Sequence, residues 1–91
     1  MVPQLSDFIR WLKDAKNGGH KTNPNGADYL DRSSESGKYH FVILKNEPSE
    51  FLTELMFDNL CRRLDIRPGE FESWWRGESG MAEPVQAEIE G

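Results

Sequence analysis

The sequence has a single cysteine, Cys61, and only two histidines, His20 and His40, among its 91 residues. One cysteine cannot form a disulfide within the chain, and a structural zinc site usually takes four Cys or His ligands at close spacing. The three residues are scattered, and neither a phosphate-binding loop nor a glycine-rich dinucleotide turn is present. We therefore expect no metal, no cofactor and no catalytic residues, and hence a protein that is not an enzyme.

Long apolar runs are also lacking. Only 36% of the residues are hydrophobic, and no stretch approaches the roughly 20 apolar residues that a membrane-spanning helix requires. The amino terminus does not show the basic segment followed by an apolar one that marks a secretory signal. We expect a soluble, cytoplasmic protein without membrane contact and, at this length, one small domain.

The charge is distributed unevenly along the chain, whose net charge is −5. Residues 1–45 contain seven Lys or Arg against five Asp or Glu, whereas residues 46–91 contain four against eleven. Because the phosphate backbone repels an acidic protein, this balance disfavours nucleic acid and favours a protein partner with a basic surface. Residues 78–91 contain four Glu and no basic residue, which predicts a disordered acidic tail after a compact domain over 1–77.

The pattern of apolar residues predicts a small α+β fold. Helical spacing predicts a helix over 3–16, and turn-forming residues predict a loop over 17–26. Residues 27–32 and 39–44 are expected to form a β-hairpin, and a long helix is expected over 46–64. The expected core consists of apolar side chains from all of these elements and from the segment that follows: Leu5, Phe8, Ile9, Leu12, Tyr39, Phe41, Ile43, Leu52, Leu55, Met56, Leu60, Leu64, Ile66, Phe71 and Trp74.

Residues 60–77 read Leu-Cys-Arg-Arg-Leu-Asp-Ile-Arg-Pro-Gly-Glu-Phe-Glu-Ser-Trp-Trp-Arg-Gly. This stretch has the pattern of a helix-turn-helix: the end of one helix, a turn over 65–67, and a second helix that begins at Pro68 and ends at Gly77. It resembles the helix-turn-helix of the lambda-repressor-like family, with matching residues at Leu60, Leu64, Ile66, Phe71, Trp74 and Gly77. Cys61 takes the place of a small residue where the helices cross, and Asp65 replaces a turn glycine that commonly has positive φ.

The resemblance implies a DNA-binding transcription regulator whose second helix enters the major groove. A single short helix reads few bases, so this alternative calls for a homodimer. The residues expected to face DNA are Arg67, Gly69, Glu70, Ser73 and Arg76.

Our preferred interpretation is a small regulatory protein that acts by protein–protein contact, as an inhibitor, an antitoxin or a mimic of nucleic acid. Four acidic residues about one turn apart are expected on the outer face of the long helix: Glu47, Glu50, Glu54 and Asp58. This ridge is either a solvated helix face or a surface for a basic partner. Trp75 either lies half buried beside a buried Trp74 or anchors an interface together with Arg76.

Overall fold

The computed structural model describes residues 2–79. These residues form the small α+β fold that the sequence predicts. The elements in chain order are α1 (Leu5–Lys16), β1 (Gly19–Thr22), β2 (Asp28–Ser33), β3 (Tyr39–Ile43), α2 (Glu54–Leu64) and α3 (Pro68–Ser79). The strands form one antiparallel sheet in the order β1-β2-β3. The helices pack on the face of the sheet that carries Leu30 and Val42, and the core lies between the two layers.

The expected hairpin of β2 and β3 is present, and its turn is closed by a 2.8 Å hydrogen bond from the Ser34 N–H to the Lys38 carbonyl. The third strand, β1, lies within residues 17–26, where the sequence predicted only a loop. Its residues, Gly-His-Lys-Thr, have no apolar alternation. They become a strand because they pair with β2, in a register that runs from Gly19 opposite Asp31 to Thr22 opposite Asp28.

The predicted long helix over 46–64 is wrong in its first part, because α2 begins at Glu54. The Thr53 side chain caps this helix by accepting a 3.2 Å hydrogen bond from the Met56 N–H. The residues before it cap a different helix. The carbonyls of Pro48 and Glu50 each accept a 2.9 Å hydrogen bond from an N–H in the first turn of α1, a turn that has no intrahelical acceptors for these donors.

The side of β3 that enters the core is the opposite of the one expected. The side chains predicted to be buried are exposed, with 55% of Tyr39, 51% of Phe41 and 39% of Ile43 accessible to solvent. Val42, between them, is buried at 5%. Successive side chains of a strand point to opposite faces. Assigning one residue of β3 to the wrong face therefore assigns every residue of the strand to the wrong face.

The helical part of the core is centred on Phe71, which is fully buried. Its ring centroid lies 5.4 Å from that of Phe8 and 5.5 Å from those of Trp11 and Phe57. Phe57 replaces the expected Leu55, which is 79% exposed. Trp75 stacks on the Phe71 ring and is buried, whereas Trp74 is half buried, so the expected roles of the two tryptophans are exchanged. Met56 is also only half buried.

The remaining residues predicted for the core are buried as expected: Leu5, Phe8, Ile9, Leu12, Leu52, Leu60, Leu64, Ile66 and Phe71.

Helices α2 and α3 are joined by the short turn over 65–67. Asp65 occupies the left-handed region, with φ 57° and ψ 51°, and its N–H donates to the Cys61 carbonyl. Helix α3 continues past Gly77 to Ser79, so the predicted helix end is wrong, and Glu78 forms a 3.0 Å ion pair with Arg10 of α1. The rest of the predicted acidic tail, residues 80–91, lies outside the described residues.

Candidate functional site: the open face of the sheet

The four residues of the predicted acidic ridge are all exposed, but they do not share one helix face. Glu47 and Glu50 precede α2, and only Glu54 and Asp58 belong to it. The Glu50 carboxylate bonds locally, accepting hydrogen bonds from the Glu47 N–H at 2.9 Å and from the Asn46 side chain at 3.1 Å. Asp58 pairs with Arg62 at 3.0 Å. The prediction that all four residues lie on the outer face of one helix is therefore wrong.

The residues that the helix-turn-helix resemblance assigned to DNA contact all lie at or near α3 and are exposed: Arg67, Gly69, Glu70, Ser73 and Arg76. Glu70 is held by an ion pair with Lys16 of α1, and the hydrogen bond from Lys16 lowers the pKa of its carboxyl. Trp75 is 5% exposed and packs on Phe71, so it is part of the core and not an interface anchor.

The face of the sheet turned away from the helices carries the exposed aromatic side chains of Tyr39 and Phe41. The register of the three strands places seven side chains on this open face: Lys21, Tyr29, Asp31, Ser33, Tyr39, Phe41 and Ile43. The rings touch one another, with Tyr39 and Phe41 stacked at a centroid distance of 6.2 Å and Tyr29 and Phe41 edge-to-face at 6.4 Å. Such arrangements of rings are favourable beyond the area that they bury.

Asp31 fixes the position of the Tyr39 ring. One carboxylate oxygen, Oδ2, accepts a 2.8 Å hydrogen bond from the Tyr39 hydroxyl and lies 2.9 Å from the Lys21 Nζ. Burial of Asp31 by itself raises the pKa of its carboxyl, but the hydrogen bonds from Lys21 and Tyr39 outweigh it, and the net pKa is lowered. The same hydrogen bonds raise the pKa of the Lys21 ammonium and of the Tyr39 phenol.

Glycine at position 19 makes room for this carboxylate. A Cβ atom added to Gly19 would lie 2.6 Å from Asp31 Oδ1, which is closer than real Cβ contacts come. Gly19 stands directly opposite Asp31 in the sheet. The absence of a side chain at Gly19, its pairing with Asp31 and the hydrogen bonds of the Asp31 carboxylate therefore belong to one arrangement, which holds the Tyr39 ring in place.

Chemically, the open face offers flat apolar rings, one aliphatic side chain and one ammonium group. Rigid aromatic side chains contribute large contact areas at a small cost in conformational entropy, and they are enriched among the residues that dominate binding energy at interfaces. The geometry of the open face suits contact with another molecule.

Sequence reasoning missed this face because it placed Tyr39, Phe41 and Ile43 in the core. It also left Lys21 in a loop and gave no role to Asp31. A usable signal was present in β2, where Leu30 stands between Tyr29 and Asp31. That alternation assigns Leu30 to the core, and pairing of β2 with β3 then assigns Val42 to the same side.

Within residues 2–79, no group of three or more His, Cys, Asp or Glu side chains is arranged to hold a metal ion. The one thiol, on Cys61, is 3% exposed, and burial raises its pKa to about 12. A thiol that stays protonated is a poor nucleophile. None of the described helices has the length and apolar character needed to cross a bilayer.

Comparisons of the chain with protein-family models, with curated protein sequences and with solved structures find no match.

Proposed function

We propose that this protein is a small, cytoplasmic regulatory protein that acts by protein–protein contact through the open face of its sheet. The observation that carries the proposal is the pair Tyr39 and Phe41, each more than half exposed and stacked on each other while Asp31 fixes the Tyr39 hydroxyl. Ordered aromatic rings are costly to leave exposed to solvent, and they contribute strongly to binding when a partner covers them. The free, buried thiol of Cys61 is compatible with a reducing compartment.

The charge of the partner depends on which surface it meets. The sequence favoured a basic partner at Glu47, Glu50, Glu54 and Asp58. On the open face, by contrast, the one carboxylate is Asp31, and it is already bonded to Lys21 and Tyr39. We place the interface on the open face and retain the acidic residues as a second surface, which charge reversal of Glu54 tests separately.

The proposal is tested by affinity purification of the tagged full-length protein from the cells in which it occurs naturally. Phe41→Ala removes a ring from the open face, and Phe51→Ala is the matched control, because Phe51 is 62% exposed and lies outside the sheet. We expect one or more proteins that co-purify with the unaltered chain to be lost with Phe41→Ala and retained with Phe51→Ala. Equal retention by both variants would overturn the proposal.

A DNA-binding regulator is the second candidate. It is favoured by the geometry of α2, the turn with Asp65 at positive φ, and α3. Arg67 in the turn and Arg76 on α3 are both exposed. Fluorescence anisotropy with mixed duplex fragments at low and physiological salt tests it. We expect no appreciable binding at physiological salt. Submicromolar, salt-sensitive binding that Arg67→Ala weakens would replace the protein-partner proposal.

A further inference from the structure

We propose that the partner supplies an extended acidic segment, which joins the sheet as a fourth strand beside β3 and lies in the groove between β3 and α2. This inference deepens the proposed function and rests on it. Three features carry it: an unpaired strand edge, a cationic groove along that edge, and the alternation of side chains that a new strand would bring.

The free edge of β3 is identified by its hydrogen bonds. The Ser34 N–H donates to the Lys38 carbonyl at 2.8 Å, and the Leu44 N–H donates to the Asp28 carbonyl at 2.9 Å. In an antiparallel ladder, bonded pairs alternate with non-bonded pairs. The even-numbered residues of β3 therefore bond to β2, and the backbone groups of Tyr39, Phe41 and Ile43 point away from it. Strand β3 is an edge of the sheet, and such a row of backbone groups is a template for another strand.

A groove runs along this edge between β3 and α2. Its walls come from residues 41–46 on one side and from the exposed side of α2 on the other, where Leu55, Met56 and Asn59 contribute. The groove contains three cationic side chains, Lys45, Arg62 and Arg63. No Asp or Glu is among the described residues that line it, although the chain as a whole is acidic.

The cations of the groove are available to a partner. The ion pair between Arg62 and Asp58 joins side chains that are both 66% exposed, and such exposed pairs contribute little stability. When an anionic group enters the groove, Arg62 therefore exchanges one weak contact for another. Charge complementarity specifies an acidic occupant.

An added strand would present its side chains alternately to the two sides of the sheet. Residues bonded to the backbone of Phe41 and Ile43 would lie on the open face, where the aromatic rings favour apolar side chains. The residues between them would point towards α2, where Arg62 and Arg63 favour carboxylates. The expected occupant is thus a peptide that alternates apolar and acidic residues. A nucleic acid has no regular backbone donors to satisfy the outward carbonyls of β3, so a peptide is the better fit.

The test uses the full-length, ¹⁵N-labelled protein and a short N-acetylated peptide of alternating valine and glutamate. We expect the amides of Phe41 and Ile43 to shift and to become protected from solvent exchange, while protection of Val42, already bonded to β2, stays unchanged. The matched peptide with lysine in place of glutamate should bind at least about tenfold more weakly. The glutamate peptide with N-methyl groups on its bonding amides should not bind. Equal binding of the glutamate and lysine peptides, or binding that survives N-methylation, would overturn the proposal.

Variants of the protein test the same two features. Arg62→Glu and Arg63→Glu together reverse the charge of the groove. This double variant should bind the lysine peptide more tightly than the glutamate peptide. The control with the same change in charge is Arg67→Glu, in the turn before α3, combined with Arg76→Glu on α3, and it should leave the preference intact. Ile43→Pro removes one outward N–H without touching the ladder to β2 and should abolish protection at Phe41. Should Ile43→Pro unfold, the N-methylated peptide tests the backbone bonds without altering the protein.

Other occupants give different results. Binding that appears only after the chain is shortened to residues 1–79 would assign the groove to residues 80–91 and overturn the external partner. Self-association that fills the groove, seen as dimers in sedimentation, would likewise overturn the external partner. Failure of the peptide to bind, combined with a cellular partner that is lost with Phe41→Ala, would refute strand addition and leave the proposed function standing.

Discussion

Replacing Arg32 should destabilise the fold far more than replacing any exposed arginine, because Arg32 links the sheet to the end of α2. It lies on the inner side of β2 and is only 6% exposed. Its Nη1 donates to the carbonyl of Leu64 at 2.8 Å and to that of Asp65 at 3.0 Å. Leu64 is the last residue of α2 and Asp65 is its C-cap, so neither carbonyl has an intrahelical donor. A cation at this end also interacts favourably with the helix dipole.

The magnitude follows from the acceptors that Arg32→Met would leave behind. The bond to Leu64 is buried and the bond to Asp65 is half buried, and a buried acceptor without a donor costs about 1–3 kcal/mol. Taking about 2 kcal/mol for the first carbonyl and about 1 for the second gives a total of about 3. The substitution also removes the buried Arg32 Nε, which has no hydrogen-bond partner among the described residues, and this offsets about 1 kcal/mol.

The free energy of unfolding is then lowered by about 2 kcal/mol, which corresponds to a decrease in Tm of roughly 8–16 °C for a domain of this size. Thermal unfolding followed by circular dichroism measures it. Arg62→Met, in the same last turn of α2 but with a side chain 66% exposed, is the control and should change stability by less than about 0.5 kcal/mol. Equal midpoints for the two variants would show that water replaces Arg32 at these carbonyls and that the arginine does not stabilise the end of α2.

Three further predictions concern packing and pH. Gly18→Ala should destabilise by about 1–3 kcal/mol in urea unfolding, because its Cβ would lie 2.5 Å from Leu12 Cγ and 2.9 Å from the Asp31 carbonyl oxygen; an unchanged midpoint would mean that α1 shifts freely. Because the pKa of Asp31 is lowered in the folded state, its contribution to stability is present above its unfolded pKa of about 4 and is lost as pH falls through the folded value. Asp31→Asn should therefore unfold at a lower temperature at pH 7 and lose less stability on acidification, and parallel pH profiles for the two proteins would contradict this. Cys61→Ala should cost about 1 kcal/mol and Cys61→Leu more, and a thiol reagent should react with Cys61 only at the rate of unfolding.

The sequence predicted the parts of the fold that local periodicity determines. Leu5, Phe8 and Leu12 form an apolar stripe along a helix whose other side is polar. This pattern placed the ends of α1 to within two residues. The turn at Asp65 was recognisable because its neighbours are spaced as in a helix-turn-helix. In both places, residues close in sequence supply the interactions that decide the structure.

The predictions were wrong where contacts between residues distant in sequence determine the structure. The run Tyr-His-Phe-Val-Ile-Leu from residue 39 to 44 has apolar side chains at both alternate positions, so only the pairing of Val42 with Leu30 selects the buried face. The residues before α2 read as a helix start, but Pro48 and Glu50 cap α1. The open face was missed for the same reason, since Tyr39 and Phe41 are apolar and only the orientation of the strand makes them exposed.

Site-specific photocrosslinking is the sharpest test of our proposal that the open face of the sheet binds a protein. A photoreactive phenylalanine analogue is placed at position 41 of the full-length protein in living cells, and at position 51 in the control. We expect an adduct from position 41 that protease destroys and nuclease does not, with no equivalent adduct from position 51. A nuclease-sensitive adduct, or no adduct at position 41 while position 51 crosslinks, would contradict it.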